Sequence, residues 1–144
     1  MAKKFRCNCP VTSVIDLLGD KWILVIIKQM LLQRKKTFKD FLNSEESIAT
    51  NILSNKLKTL TDLKIIAKKK VLYNKKSFHY FLTEKGLSLA PTIIELLIWG
   101  EENIRQIHPE MKNLGEFSTI KTDKNVFIAS LQNKYLEFVN NQNS

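Results

Sequence analysis

Glycine and proline are scarce, at 4 and 3 of 144 residues, which excludes a collagen-like or low-complexity chain. The only cysteines, Cys7 and Cys9, are too few for a disulfide framework. With His79 and His108 they make up the soft ligands, and they lack the paired spacing of a structural zinc site, so no metal is expected. A Gly-rich phosphate loop and a nucleophile elbow are both missing, so neither a cofactor nor catalysis is expected. The longest apolar run, Trp22 to Ile27, stops at Lys28, far short of the roughly 20 residues of a spanning helix. The first ten residues are basic without the apolar stretch of a secretory signal, so the expected location is the cytoplasm, with both thiols reduced.

Acidic residues are also in short supply, 14 against 23 Lys and Arg, for a net charge of +9. The imbalance is local: residues 1 to 90 carry 18 basic and 7 acidic side chains, and residues 91 to 144 carry 5 and 7. A domain this basic suits a polyanion, and nucleic acid, an anionic membrane surface and an acidic protein all qualify on charge alone. Solubility is the competing explanation.

What is present is mostly helical periodicity. Pro10 opens a short helix over Val11 to Leu18, ended by Gly19. Asp20 caps a second over Lys21 to Gln33, apolar on more than one side. Thr37 caps a third that turns Phe38, Phe41 and Leu42 inward. From Thr50 to Leu63, the residues Ile52, Leu53, Leu57 and Leu60 form one stripe, opposite Asn51, Ser54, Asn55 and Lys58. Ile65 to Leu72 and Ser77 to Leu82 read as strands of a hairpin turning at Tyr73 to Lys76. Thr83 caps a long helix to about Ile107, with a break near Pro91, and residues 110 to 121 read as a linker. Asp123 caps a last helix whose apolar stripe needs a partner.

This order predicts an α+β, mainly helical fold: a winged helix-turn-helix with additional dimerisation helices. Its expected divisions are a basic arm (1–8), the winged domain (9–107), a linker (108–121) and a C-terminal dimerisation helix (122–141). A recognition helix buries one side on its own domain and offers the other to the major groove. Thr50, Asn51, Ser54 and Asn55 suit base edges and phosphates, with Lys56 and Lys58 flanking. The same residues would also make an ordinary solvated face. Lys68, Lys69, Lys70, Lys75 and Lys76 put five cations into nine residues of the ribbon, suiting phosphates or a minor groove. Lysines on a strand edge also block aggregation. Candidate dimer contacts are Ile94, Leu97, Ile98 and Ile104 of the long helix and Phe127, Leu131, Tyr135 and Phe138 of the last, with packing onto the chain's own core as the rival.

Several segments, in order, carry a family resemblance: Cys9-Pro10-Val11, Leu18-Gly19-Asp20-Lys21-Trp22, Ile48 to Leu57 with Leu60, Tyr80 to Gly86, and Trp99-Gly100-Glu101. From Cys9 to about Asn103 the chain resembles the HxlR-type winged helix-turn-helix transcription regulators. The resemblance implies a non-catalytic homodimer that binds a two-fold related operator in double-stranded DNA. Against the family pattern, Ala49 stands in place of a capping Ser, leaving Ser47 as the alternative cap, and Lys64 sits where Gly would turn easily. Lys75 and Lys76 replace a Pro pair and His79 an acidic residue, which implies a more basic tip.

Cys9, just before the first helical residue, would sit at the positive end of the helix dipole, near Arg6, Lys3 and Lys4. It is the better candidate, with Cys7 second, for reaction with an oxidant or small-molecule electrophile, as the family resemblance also implies. A small packing residue is the plain alternative. The rivals to a DNA-binding regulator are a winged-helix protein-interaction module and a thiol enzyme that uses Cys9.

Overall fold

The computed structural model describes residues 5–71 and 73–142, with side chains throughout except at 74–76. Among the described residues, eight helices and two strands follow one another: α1 (Pro10–Leu18), α2 (Lys21–Gln33), α3 (Phe38–Leu42), α4 (Thr50–Asp62), β1 (Ile66–Val71), β2 (Asn74–Leu82), α5 (Glu84–Leu87), α6 (Ala90–Asn103), α7 (Phe117–Thr122) and α8 (Lys124–Gln142).

Local chemistry explains most boundaries. Asp20 accepts from the N–H groups of Trp22 and Ile23 at the start of α2. Thr37 and Asp40 form a reciprocal capping box on α3. α2 ends with Arg34 in the left-handed region, at φ 54°, and the Lys35 N–H donates to the Gln29 carbonyl. α4 ends the same way at Lys64, φ 63°, with the Ile65 N–H on the Leu60 carbonyl. Lysine takes the left-handed turn that glycine would take at lower cost.

Four expectations change. The strand β2 begins at Asn74, so the hairpin turn is tighter than Tyr73 to Lys76, and the register slips between Lys70 and Val71. The long helix, broken near Pro91 as expected into α5 and α6, ends at Asn103 and not at about Ile107. The segment read as a linker holds α7. The Ser47 hydroxyl donates to the Glu45 carbonyl, so α4 has Ala49 as its N-cap residue and no side-chain cap.

Gly86 is required by close approach, since a Cβ there would lie 2.1 Å from the Ile65 carbonyl oxygen. Thr83 joins the same point, donating to the Lys64 carbonyl (2.6 Å) and accepting from the Gly86 N–H. α5 is thereby pinned to the joint between α4 and β1.

The core gathers Ile23, Ile26, Ile27, Met30 and Leu31 of α2 around Phe41, Leu53, Leu57 and Leu60, and closes over Ile93, Ile94 and Ile98 of α6. α8 folds back onto α2 and α6 and brings Ile128 and Tyr135 into this core. The stripe expected to meet a second subunit is therefore turned inward. Ile94, Ile98 and Tyr135 are buried in the chain itself, and Leu97, Phe127, Leu131 and Phe138 pack half-buried against its core. Ile104 lies half-buried at the end of α6. Closing the loop through α7 gave α8 an apolar surface on its own chain.

Candidate nucleic-acid interface

α4 divides cleanly into two faces. Leu53, Leu57 and Leu60 are buried, while Thr50, Asn51, Ser54, Asn55 and Lys58 are exposed. A helix held by one apolar stripe keeps its other side rigid and presented, which reading base edges requires. Asn51, Ile52 and Asn55 line an open groove of about 420 Å³ with Asp20 and Trp22 from the start of α2.

Lys56 departs from its expected part. Its ammonium lies 2.8 Å from Asp20 Oδ2 and is three-quarters shielded, so it ties α4 to the N-terminus of α2. That hydrogen bond is the main cause holding the Asp20 carboxyl below its ordinary range, with the capping N–H groups adding to it. Lys58 remains on the outer surface, in an exposed pair with Asp62 at 2.9 Å.

The turn ahead of α4 is held from below. Glu46 accepts from Lys28 Nζ (2.5 Å) and from Nε2 of the fully buried Gln29 (2.9 Å). Partial burial pushes the Glu46 pKa up, but Lys28 and Gln29 outweigh it and the carboxyl stays low. The helix-turn-helix geometry thus has a polar lock whose members lie 17 and 18 positions apart in the chain. Neither this lock nor the Asp20–Lys56 pair was expected from the sequence, because each partner is an ordinary surface residue type in its own segment.

The wing continues directly from α4. The strands β1 and β2 pair antiparallel, with Lys68 opposite Tyr80, Lys69 opposite His79 and Lys70 opposite Phe78. Lys68, Lys69 and Lys70 are all exposed, and the pleat sends Lys69 to the face opposite the other two. Lys68 Nζ lies 4.8 Å from the Phe78 ring centroid and Lys69 Nζ 5.8 Å from that of Phe81. These rings steady the long stems without neutralising them. Lys75 and Lys76 belong to β2, but their side chains lie outside the described residues, as do Lys3 and Lys4. Burial, and then Lys36, depress the His79 pKa, with Asp40 opposing them.

At the other end, Cys9 is the N-cap residue of α1, and both cysteines are exposed. Its sulfur makes no formal capping bond. The Thr12 N–H and hydroxyl, and then the Val11 N–H, nevertheless hold the Cys9 thiol below its ordinary value. Arg6 is tied to α1, its N–H donating to Asp16 Oδ2 and its Nε lying 2.7 Å from Oδ1 as a charge contact rather than an aligned hydrogen bond. Among the described residues no cluster of His, Cys, Asp and Glu could hold a metal, and no helix is long and apolar enough to cross a membrane.

A polar-faced helix locked onto its neighbour and followed by a cationic ribbon defines a winged helix-turn-helix protein. More narrowly, the chain belongs to the HxlR-like helix-turn-helix family, whose pattern matches residues 17–108. It is 30% identical over 96 residues to the HTH-type transcriptional regulator YybR of Bacillus subtilis (strain 168), covering 67% of this chain and 76% of that one. The HTH-type transcriptional regulator YodB of the same organism is 30% identical over 95 residues, 65% of this chain and 84% of that one. Among solved structures, the redox regulator HypR in its reduced form is similar with a TM-score of 0.61 at 28% identity, over 70% of this chain and 99% of that one. The reduced form of YodB is similar with a TM-score of 0.54 at 29% identity, over 67% and 95%. The family match ends before α7 and α8 begin.

Proposed function

We propose that this chain is a transcription regulator that binds a two-fold related site in double-stranded DNA as a homodimer. The observation that carries this reading is the exposed Thr50, Asn51, Ser54 and Asn55 face of α4, continuous with the lysine ribbon, in a chain of this family. The α4 helix enters the major groove, and Lys68, Lys69 and Lys70 hold flanking phosphates. Because Lys56 is engaged by Asp20, it acts as a brace for the recognition helix, and base reading falls to Asn51 and Asn55.

For the second subunit, the large apolar side chains left uncovered support a contact through α1 and α6. Val11, Val14 and Ile15 are more than half exposed on α1, as are Leu96 and Trp99 on α6. Selection of bound duplexes from a random pool, followed by sedimentation of the complex, tests the whole reading. The expected result is a two-fold related sequence carrying two chains. A monomer alone at micromolar concentration, with no sequence enriched, rejects it.

The same proposal includes response to an oxidant or electrophile at Cys9. Its support is an exposed sulfur at a helix N-terminus with three donors around it, and the similarity to the redox regulator HypR. Iodoacetamide labelling at graded pH should give a Cys9 midpoint below the ordinary thiol value of about 8.5. An ordinary midpoint for Cys9 would reject the sensing role.

A further inference from the structure

The C-terminal helix lies outside the segment that defines the family, yet it grips the base of the wing. A two-stranded ribbon is marginal by itself, and the free edge of β2 presents outward N–H groups at alternate residues. Two of these are taken by other parts of the chain. The Tyr80 N–H donates to the Lys36 carbonyl (2.7 Å), and the Leu82 N–H donates to the Tyr135 hydroxyl (2.9 Å). Tyr135 is 1% exposed, so this bond is made in a dry interior where a missing acceptor could not be replaced by water.

One turn further along α8, the Phe138 ring lies 6.4 Å from Phe81 and 5.9 Å from Tyr135. Lys36 Nζ sits 5.6 Å over the same ring and also donates to Gln142 Oε1. The end of α8 therefore clasps two backbone segments at once, the connection leading into α3 and the last residues of β2. Its beginning is fastened elsewhere, by Lys124 to Glu95 of α6 and by Gln132 Nε2 to the Leu87 carbonyl of α5.

We propose that α8 is a strut that sets the angle of the wing to the recognition helix, with Tyr135 as the residue that positions the wing for its phosphate contacts. The inference rests on the DNA-binding reading above. The strut runs from α6 to the wing, so a change at α6 reaches the lysines through a rigid element rather than through the helix-turn-helix. Tyr135 and Phe138 touch no DNA in this scheme; they act on where Lys68, Lys69 and Lys70 sit.

The test is the salt dependence of binding to a 30-base-pair duplex of mixed sequence, measured on the full chain for wild type, Tyr135→Phe and Phe138→Leu. Each variant keeps its apolar bulk, and thermal melting checks that it is folded. Losing one phosphate contact per subunit should flatten the slope of log affinity against log salt by about 2 for a dimer, at roughly 0.9 per contact. Amide exchange at Leu82 should quicken in Tyr135→Phe. A lower melting point with an unchanged slope in both variants would mean that α8 only stabilises the fold, and the proposal falls. A wild-type chain that ignores the duplex at low salt overturns the DNA-binding reading, and this inference with it.

Discussion

Replacing Lys68, Lys69 and Lys70 together with glutamine should flatten the salt dependence of duplex binding by about 5 in slope, six contacts per dimer at roughly 0.9 each. The ribbon pairing survives, since all three side chains are exposed and their positions in β1 are unaltered. The loss should be similar for any duplex sequence, because phosphates carry no base information. Asp20→Asn should move the same measurement the other way. Asn still caps α2, but the partner of Lys56 loses its charge, and one more ammonium per subunit is released toward the backbone. A triple variant with the wild-type slope would remove the wing from the interface.

Asn55→Ala should act on specificity alone. A bidentate amide on adenine discriminates by about 1–3 kcal/mol, so each half-site should lose roughly 5- to 150-fold in preference for the selected sequence over a mixed one. Binding to mixed-sequence duplex should hold. Stability should hold or rise slightly, because Asn55 is exposed in mid-helix and alanine is the better helix former there. Competition between the selected and mixed duplexes measures this directly. If the preference is unchanged, α4 does not read bases through Asn55.

Much of the fold was legible because it is written in short-range chemistry. Asp20, the stripe of α2 and the 3.6-residue spacing of Leu53, Leu57 and Leu60 each act within a few turns. The left-handed Lys64 stands where the family resemblance implied a turning Gly. The boundary of β2 was harder to place, since Asn74 to Lys76 have turn-like composition and only pairing across the register slip makes them strand. The candidate site was legible as residue types on a face. Their division of labour was not: Lys56 and Lys58 look alike in sequence, yet one is held 2.8 Å from Asp20 and the other stays on the outer surface.

Periodicity, capping and charge placement by themselves determined a winged helix-turn-helix with a polar recognition face and a cationic ribbon. Tertiary structure alone decided where α8 goes. An apolar stripe is satisfied equally by a second subunit or by the chain's own core, and periodicity is blind to the difference. What settled it was a set of contacts between distant positions, Leu82 with Tyr135 and Lys36 with Gln142, the second pair 106 residues apart. Such contacts form only once the intervening loop has closed, and the free energy of closure depends on every element between them.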